Sequence, residues 1–239
     1  GKDGKVLWGF EGGYGADCRD LWTVPKDYKL VGCDASGLEL RMLAHYMNDD
    51  KYTNEILNGD IHSANQKSAG LQTRDQAKTF IYALLYGAGD AKIGAVVNGS
   101  AKDGAQLRAR FMANMPAYKR LSEAVIRKGE SVGKLVGLDG RILRVRSGHA
   151  SLNTLIQGSS AVLMKKWFMY VDYHLRRRKL DAKIVAMVHD ELVLETSEKD
   201  VDHAKDCVIL SIRQVNKSYK LNCELDCDVQ TGNNWSEIH

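Results

Sequence analysis

Two acidic motifs in this chain have the residue types that bind divalent metal ions. Asp34 and Asp190 each stand at or near the end of an apolar, β-prone run, in Cys33-Asp34-Ala35 and in Val188-His189-Asp190-Glu191. Mg²⁺ prefers a few carboxylates together with phosphate oxygens and water. A cap or a surface charge is the alternative for either aspartate alone, but a carboxylate at the mouth of a buried strand needs a partner. Asp34 and Asp190, with the Ala35 carbonyl as a further oxygen, are therefore candidate metal ligands.

A predicted helix between the two motifs carries cations on one side. Thr73 is the candidate N-cap, and Arg74, Lys78 and Tyr82 follow it at intervals of four. Four residues advance about 40° beyond one helical turn, so these three side chains share a stripe. Arg makes bidentate phosphate contacts and Lys acts as a point charge. Nucleotidyl transfer requires such carboxylates and cations together, although an ordinary amphipathic helix with a solvated basic edge has the same pattern.

The composition is that of a folded protein with a mild positive charge. The chain has 239 residues, 44% hydrophobic and 27% charged, with a formal net charge of +4. This excludes the disordered class and allows one large domain or two modest ones. The sequence has two basic clusters, which either contact the phosphates of a nucleic acid or form a solvated surface. They are Arg141, Arg144 and Arg146, and the run 176–179. No apolar run approaches membrane-spanning length, so we expect no membrane partner.

The five cysteines indicate a reducing compartment. Their odd number and wide spacing argue against a disulfide framework and predict a cytoplasmic protein. Cys223 and Cys227 resemble half a zinc site, but no second pair follows, so buried thiols are the better interpretation. We expect no signal peptide before Gly1. A chain that begins with glycine is expected to be a fragment or to have lost a start methionine.

Hydrophobic periodicity predicts an α+β fold. A sheet-bearing module, with strands near both ends of the chain, is interrupted by a helical insertion. Predicted helices cover residues 38–47, most of 50–130, 149–175 and 200–218. Predicted strands cover 30–34, 183–188, 192–195 and 223–229, with a β-hairpin over 135–145 around the turn dipeptide Asp139-Gly140.

Taken together, these motifs resemble the DNA polymerase I family (family A), especially the replicative polymerases of short-tailed bacteriophages. The run from Asp34 to Arg41 is similar to the first palm motif of that family, and the run from Arg74 to Gly87 to the fingers helix. His189-Asp190-Glu191 is similar to the last palm motif. Asp60-Ile61-His62, the pair Asn153 and Gln157, and the ending Asn234-Trp235 also fit. The similarity extends over about residues 14–239.

The resemblance implies a role for each matching residue in template-directed DNA synthesis. Two Mg²⁺ ions would be bound by Asp34, Ala35 and Asp190, with Glu191 beside them and Lys78 also catalytic. The nucleotide would be bound by Glu39, His62, Arg74, Lys78 and Tyr82. Primer–template DNA would be contacted by Tyr86, Arg141, His149, Asn153, Gln157 and His189.

Two of these positions carry implications for nucleotide choice. Glu39 would pack near the incoming sugar and exclude a 2′-hydroxyl, which favours deoxynucleotides. Tyr82, where some relatives have Phe, is linked in the family to acceptance of dideoxynucleotides. The fingers would swing inward on a matched nucleotide.

The resemblance also predicts a domain organisation. A polymerase palm, an antiparallel sheet with packed helices, would comprise residues 1–46 and 149–239, interrupted by helical fingers over 47–148. Only about thirty residues precede Asp34, whereas family members carry a thumb and an exonuclease-like domain there. We therefore expect both to be absent, either because the chain is truncated or because the polymerase is split and a second polypeptide supplies them; we favour the split. A viral source would place it in the host cytoplasm.

Three other functions remain open at this point. A single-subunit RNA polymerase shares the palm metals and the fingers cations, but Glu39 argues against it. A non-catalytic DNA-binding or scaffold subunit would retain the fold, although intact Asp34, Asp190, Arg74 and Lys78 argue against decay. A metal-dependent hydrolase has no obvious use for the stripe of Arg74, Lys78 and Tyr82.

Overall fold

In the computed structural model, which describes residues 7–238, the chain packs as two compact units. The sheet unit takes the residues up to 38, 163–220 and those from 225 onward. The helical unit takes 39–162 and 221–224. Among the described residues no helix is both long and apolar enough to cross a membrane. The predicted palm and fingers boundaries stay a prediction.

The sheet unit is built on a four-stranded antiparallel sheet of order β4-β5-β1-β6. Its strands are β1 (Tyr28–Ala35), β4 (Ala182–Val188), β5 (Glu191–Ser197) and β6 (Cys227–Gly232). One face of β1 is apolar, with Val31 and Cys33 fully buried. Because strand side chains alternate, Asp34 lies on the opposite face, where Leu30 packs with Val193 and Ile238.

Helices complete the sheet unit. They are α1 (Gly15–Asp20), the second part of α9 (Ser151–Arg177), and α10 (Val201–Tyr219). Apolar residues at helical spacing give α10 a buried face that includes Ala204 and Val208. Trp167 of α9 is 1% exposed and its indole donates to the Val208 carbonyl at 3.1 Å. A fully buried large apolar side chain of this kind contributes roughly 2–3 kcal/mol.

The helical unit consists of short helices, several of which are capped at their starts by side chains. They are α2 (Leu38–Met47), α3 (Asp50–Asn58), α4 (Ile61–Ala69), α5 (Arg74–Leu85), α6 (Asp90–Gly94), α7 (Ala101–Asn114) and α8 (Pro116–Val132). Asp49, Asp60, Thr73 and Ser100 accept backbone N–H groups at the starts of α3, α4, α5 and α7. Phe80, Phe111 and Tyr118 pack edge to face in the core.

The predicted hairpin is present in the helical unit as β2 (Lys134–Val136) and β3 (Ile142–Arg144). Gly140 has a φ of +83°, which a side chain would oppose, so the turn dipeptide determines the turn. Leu135 packs with Val125 and Leu155, which attaches the hairpin to α8 and α9.

One predicted strand is wrong in its position. The prediction over 223–229 holds only from Cys227, because the residues before it hydrogen-bond to a side chain instead of a neighbouring strand. The Asn216 amide accepts from the Leu225 N–H at 2.7 Å and donates to the Leu225 carbonyl at 2.9 Å. Burial raises the pKa of both the Cys223 and the Cys227 thiols, the latter to about 12, and all five cysteines are free thiols.

Candidate functional site

The sheet unit brings the two predicted metal ligands to adjoining strand ends. Asp34 is the register partner of Glu191, the residue after Asp190. The Ala35 N–H donates to the Asp190 carbonyl at 2.9 Å, which joins the end of β1 to the β4–β5 turn. Asp34 is exposed and Asp190 half-buried. We call Asp34, Ala35, Asp190 and Glu191 the carboxylate group.

A two-residue turn presents Asp190. Val188 pairs with Glu191, so His189 and Asp190 alone connect β4 to β5. His189 has a φ of +53°, a left-handed conformation that favours glycine and opposes a side chain. The exposed imidazole is therefore retained at a conformational cost.

Glu191 is held by a residue from the end of the chain. Its side chain is buried, with 5% exposure, and both carboxylate oxygens accept from the Trp235 indole N–H, at 3.2 and 3.4 Å. A buried carboxylate needs such a donor. The sequence indicated Trp235 only as part of the resemblance, and its contact with Glu191 was missed.

The donors of the carboxylate group suit magnesium. Two carboxylates and a carbonyl are hard oxygen ligands, which Mg²⁺ takes together with phosphate oxygens and water. Within residues 7–238 no group of three or more His, Cys, Asp or Glu side chains is gathered as for a metal ion bound by protein alone. The carboxylate group therefore offers oxygen ligands of the kind that Mg²⁺ takes.

In the helical unit α5 has the predicted stripe. Thr73 and Gln76 form a capping box, with the Thr73 hydroxyl accepting from the Gln76 N–H at 3.1 Å and the Gln76 side chain accepting from the Thr73 N–H. Arg74 and Lys78 are exposed and Tyr82 is half-buried. The opposite side of α5 is buried in the core, with Ala77, Phe80 and Ile81 fully buried. The helix therefore fixes which side its cations occupy.

Arg74 is oriented by the start of a second helix. Asp60, the N-cap of α4, accepts from Arg74 Nε at 2.8 Å, and this hydrogen bond lowers the pKa of the Asp60 carboxyl. His62 lies near both cations: burial first, then Arg74 and Lys78, lower the pKa of its imidazole. We call His62, Arg74 and Lys78 the cationic group. The Asp60–Arg74 pair was missed from the sequence.

The far end of α5 carries the predicted sugar and base contacts. Tyr86 is exposed, and its hydroxyl donates to the Glu39 carboxylate at 2.8 Å. The Tyr82 and Tyr86 rings lie 6.2 Å apart. Gly87 follows with a φ of +69°, and a Cβ there would overlap the His149 carbonyl oxygen. This close approach joins the end of α5 to the segment before α9.

A groove on the helical unit contains some of the predicted DNA contacts. It has a volume of about 640 Å³ and includes Asn153 and Gln157 together with Arg144 and Arg146. The two arginines come from the basic cluster noted in the sequence. Arg141 is bound to Asp139 at 2.6 Å at the hairpin, and is not among the groove's lining residues.

Comparison with known proteins identifies the family. The model of DNA polymerase family A matches residues 10–237. The chain belongs to DNA polymerase family A. The predicted resemblance is therefore confirmed.

Relatives in this family include the DNA-directed DNA polymerases of Enterobacteria phage T3 and Escherichia phage T7. These are 38% and 37% identical to the chain, over 95% of its length. The chain spans 37% of the length of each. A DNA polymerase I from Geobacillus stearothermophilus is 28% identical over 74% of the chain, which spans 22% of that relative.

A solved structure shares the α+β fold. The POL domain of Pol1 from M. smegmatis, in complex with DNA primer-template and dNTP, superposes with a TM-score of 0.85. The superposition includes 98% of this chain and 44% of the M. smegmatis chain, and the two sequences are 23% identical. The mixed fold with an antiparallel sheet, predicted from the sequence, is confirmed.

Proposed function

We propose that this chain carries out template-directed DNA synthesis, transferring a nucleotide from a dNTP to a primer 3′-hydroxyl. The observation that carries the proposal is the junction of β1 with the β4–β5 turn, where the Ala35–Asp190 hydrogen bond brings Asp34 and Asp190 to adjoining strand ends. The named activity of the phage relatives supports it.

Asp34, Asp190 and the Ala35 carbonyl are the residues that would hold two Mg²⁺ ions. Bound Mg²⁺ would neutralise triphosphate charge and lower the pKa of the attacking hydroxyl. Glu191, fixed by Trp235, keeps a further negative charge on the strand next to Asp34. The protein would position these ligand oxygens through the register of its strands.

The cationic group would bind the triphosphate. Arg74 uses its Nε donor on Asp60, and a guanidinium fork has four further N–H donors for phosphate oxygens. Lys78 would donate a proton to the departing pyrophosphate. His62 lies beside these two cations and would donate an N–H to a phosphate oxygen. Tyr82 and Glu39 would border the sugar and base.

The groove around Asn153 and Gln157 would contact the DNA duplex. The amide side chains supply donors and acceptors for base edges, and Arg144 with Arg146 adds phosphate contacts. Tyr86, His149, Arg141 and His189 stay predicted DNA contacts. Charge-based binding of this kind weakens as salt rises.

Single-nucleotide extension of a primer tests the proposal against its rivals. With the chain in excess over a radiolabelled primer–template, we expect addition only of the complementary dNTP, and little addition of the matching NTP. Preferred NTP addition would favour an RNA polymerase. DNA binding without any extension would favour a non-catalytic subunit, and either result would contradict the proposal.

Several finer parts of the proposed function stay predictions. They are the fingers as a helical insertion, a second polypeptide that takes part in DNA synthesis, and a cytoplasmic location. Adding a candidate partner to the extension assay tests the second polypeptide. We expect longer products per binding event with the partner than without it, and equally long products from the chain alone would contradict that prediction.

A further inference from the structure

Strand β6 and Asp226, the residue before it, hydrogen-bond to Ser36, which follows the proposed metal-binding segment of β1. The Ser36 N–H donates to the Asp226 carbonyl at 2.9 Å, and the Ser36 hydroxyl donates to Asp228 Oδ2 at 3.2 Å. Both contacts come from the opposite edge of the sheet to β4 and β5. The segment that carries Asp34 and Ala35 is therefore anchored from both sides.

These contacts fix the direction of a specific oxygen. The Ala35 carbonyl and the Ser36 N–H belong to one planar peptide group and point in opposite directions. When the N–H is bound to Asp226, the carbonyl must point away from β6. The hydroxyl bond to Asp228 restrains the same residue by its side chain. The direction of the Ala35 carbonyl is thus set by Ser36.

Asp228 also lies opposite Asp34. Asp34 pairs with Glu191 on β5 and with Asp228 on β6, and directly opposed residues of antiparallel strands share a face. Like charges in that arrangement repel. Glu191 is bound by Trp235 and Asp228 by Ser36, so each flanking carboxylate has a donor of its own.

We propose that Asp228 is a positioning residue for divalent-cation binding, acting through Ser36 on the Ala35 carbonyl. The proposal rests on the metal-binding role proposed above for Asp34 and Ala35. It predicts that Asp228 and Ser36 work as one unit. Losing either member removes the side-chain restraint on Ser36 and leaves only the backbone bond to Asp226, so the peptide is held less firmly. Losing the second member then changes nothing further.

Binding of Mn²⁺ alone, measured by electron paramagnetic resonance without DNA or nucleotide, tests this. Substitutions that disturb the support of a metal ligand typically weaken metal affinity by about tenfold or more. We expect a loss of about that size in Asp228→Ala, an equal loss in Ser36→Ala, and no additional loss in the double variant. Asp228→Asn keeps an oxygen that accepts from the Ser36 hydroxyl, so we expect substantial recovery.

Gln230→Ala is the matched control, since Gln230 is exposed and lies two residues along β6 on the same face as Asp228. We expect wild-type Mn²⁺ affinity from it. In primer extension, Asp228→Ala should raise the Mg²⁺ concentration needed for half-maximal rate and leave the KM for dNTP nearly unchanged.

Two results would overturn the positioning role. One is a double variant whose loss of Mn²⁺ affinity combines the full losses of the two single variants. The other is an Asp228→Asn variant that binds Mn²⁺ as weakly as Asp228→Ala does, while Ser36→Ala binds Mn²⁺ normally. That result would indicate that Asp228 acts only through its negative charge. Asp34→Asn separates this failure from failure of the proposed function. If Asp34→Asn does not weaken Mn²⁺ binding, the metal-binding group itself is wrong, and the positioning role falls with it.

Discussion

At the scale of single residues, His189 combines an unfavourable backbone conformation with a place beside Asp190, a proposed metal ligand. A φ of +53° is strained for a residue with a side chain. Glycine at this position would relieve the strain.

The His189→Gly substitution is therefore expected to stabilise the chain. Removing the Cβ at a left-handed position relieves about 1–2 kcal/mol of strain, and the greater freedom of glycine in the unfolded chain offsets part of that gain. The same change should weaken primer–template binding, because His189 is a predicted DNA contact. Thermal melting and a fluorescence binding titration measure the two effects. A variant that melts lower than wild type would contradict the strain argument.

A second residue gives a pH dependence. His45 Nδ1 accepts from the Asn222 N–H at 3.2 Å, and burial lowers the pKa of this imidazole from its ordinary value of 6.5. Below that value the unfolded chain binds more protons than the folded one, so the stabilisation present at neutral pH is lost as pH falls. We expect His45→Gln to lose less Tm between pH 7.5 and pH 5.5 than wild type.

The exposed His203 on α10 supplies the control for that comparison. His203→Gln should lose as much Tm as wild type over the same interval. If His45→Gln also shows the full wild-type loss, His45 does not contribute to the acid sensitivity.

At the scale of elements, α5 depends on how its end is joined to the segment before α9. The close approach occurs at Gly87, whose φ is +69° and where the His149 carbonyl lies in the place that a Cβ would take. This requirement has no signature in helical periodicity.

Gly87→Ala should therefore be clearly destabilising. The left-handed conformation alone costs about 1–2 kcal/mol for a residue with a side chain, and the overlap with His149 adds to it. Gly89→Ala is the control, since a Cβ added to Gly89 would meet no atom within 4 Å and the φ of this residue is −69°. We expect a change of only about half a kcal/mol there. Equal melting temperatures for the two variants would contradict this account of Gly87.

Sequence patterns predicted most elements because local signals agreed with the packing. Residues 38–47 follow a helical period, and α2 has those bounds. The strand over 223–229 failed because Asn216, a distant side chain, takes the hydrogen bonds of Leu225. The partners of site residues were unpredictable for the same reason. Asp60 is 14 residues from Arg74, and Trp235 is 44 residues from Glu191.

At the scale of the whole molecule, the two units divide the predicted chemistry. The sheet unit carries the carboxylate group, and the helical unit carries the cationic group and the groove with Asn153 and Gln157. Each group is positioned by its own unit: strand register places Asp34, and the α5 capping box places Arg74. The proposed polymerase activity uses groups from both units.

The rate of single-nucleotide addition under single-turnover conditions, compared between wild type and carboxylate variants, tests the central claim most directly. We expect Asp34→Asn and Asp190→Asn each to slow addition by about a thousandfold or more, since metal-assisted charge stabilisation is worth several kcal/mol. Asp202→Asn, an exposed aspartate on α10, should react at the wild-type rate. Folded Asp34→Asn and Asp190→Asn variants that extend the primer as fast as wild type would contradict the account.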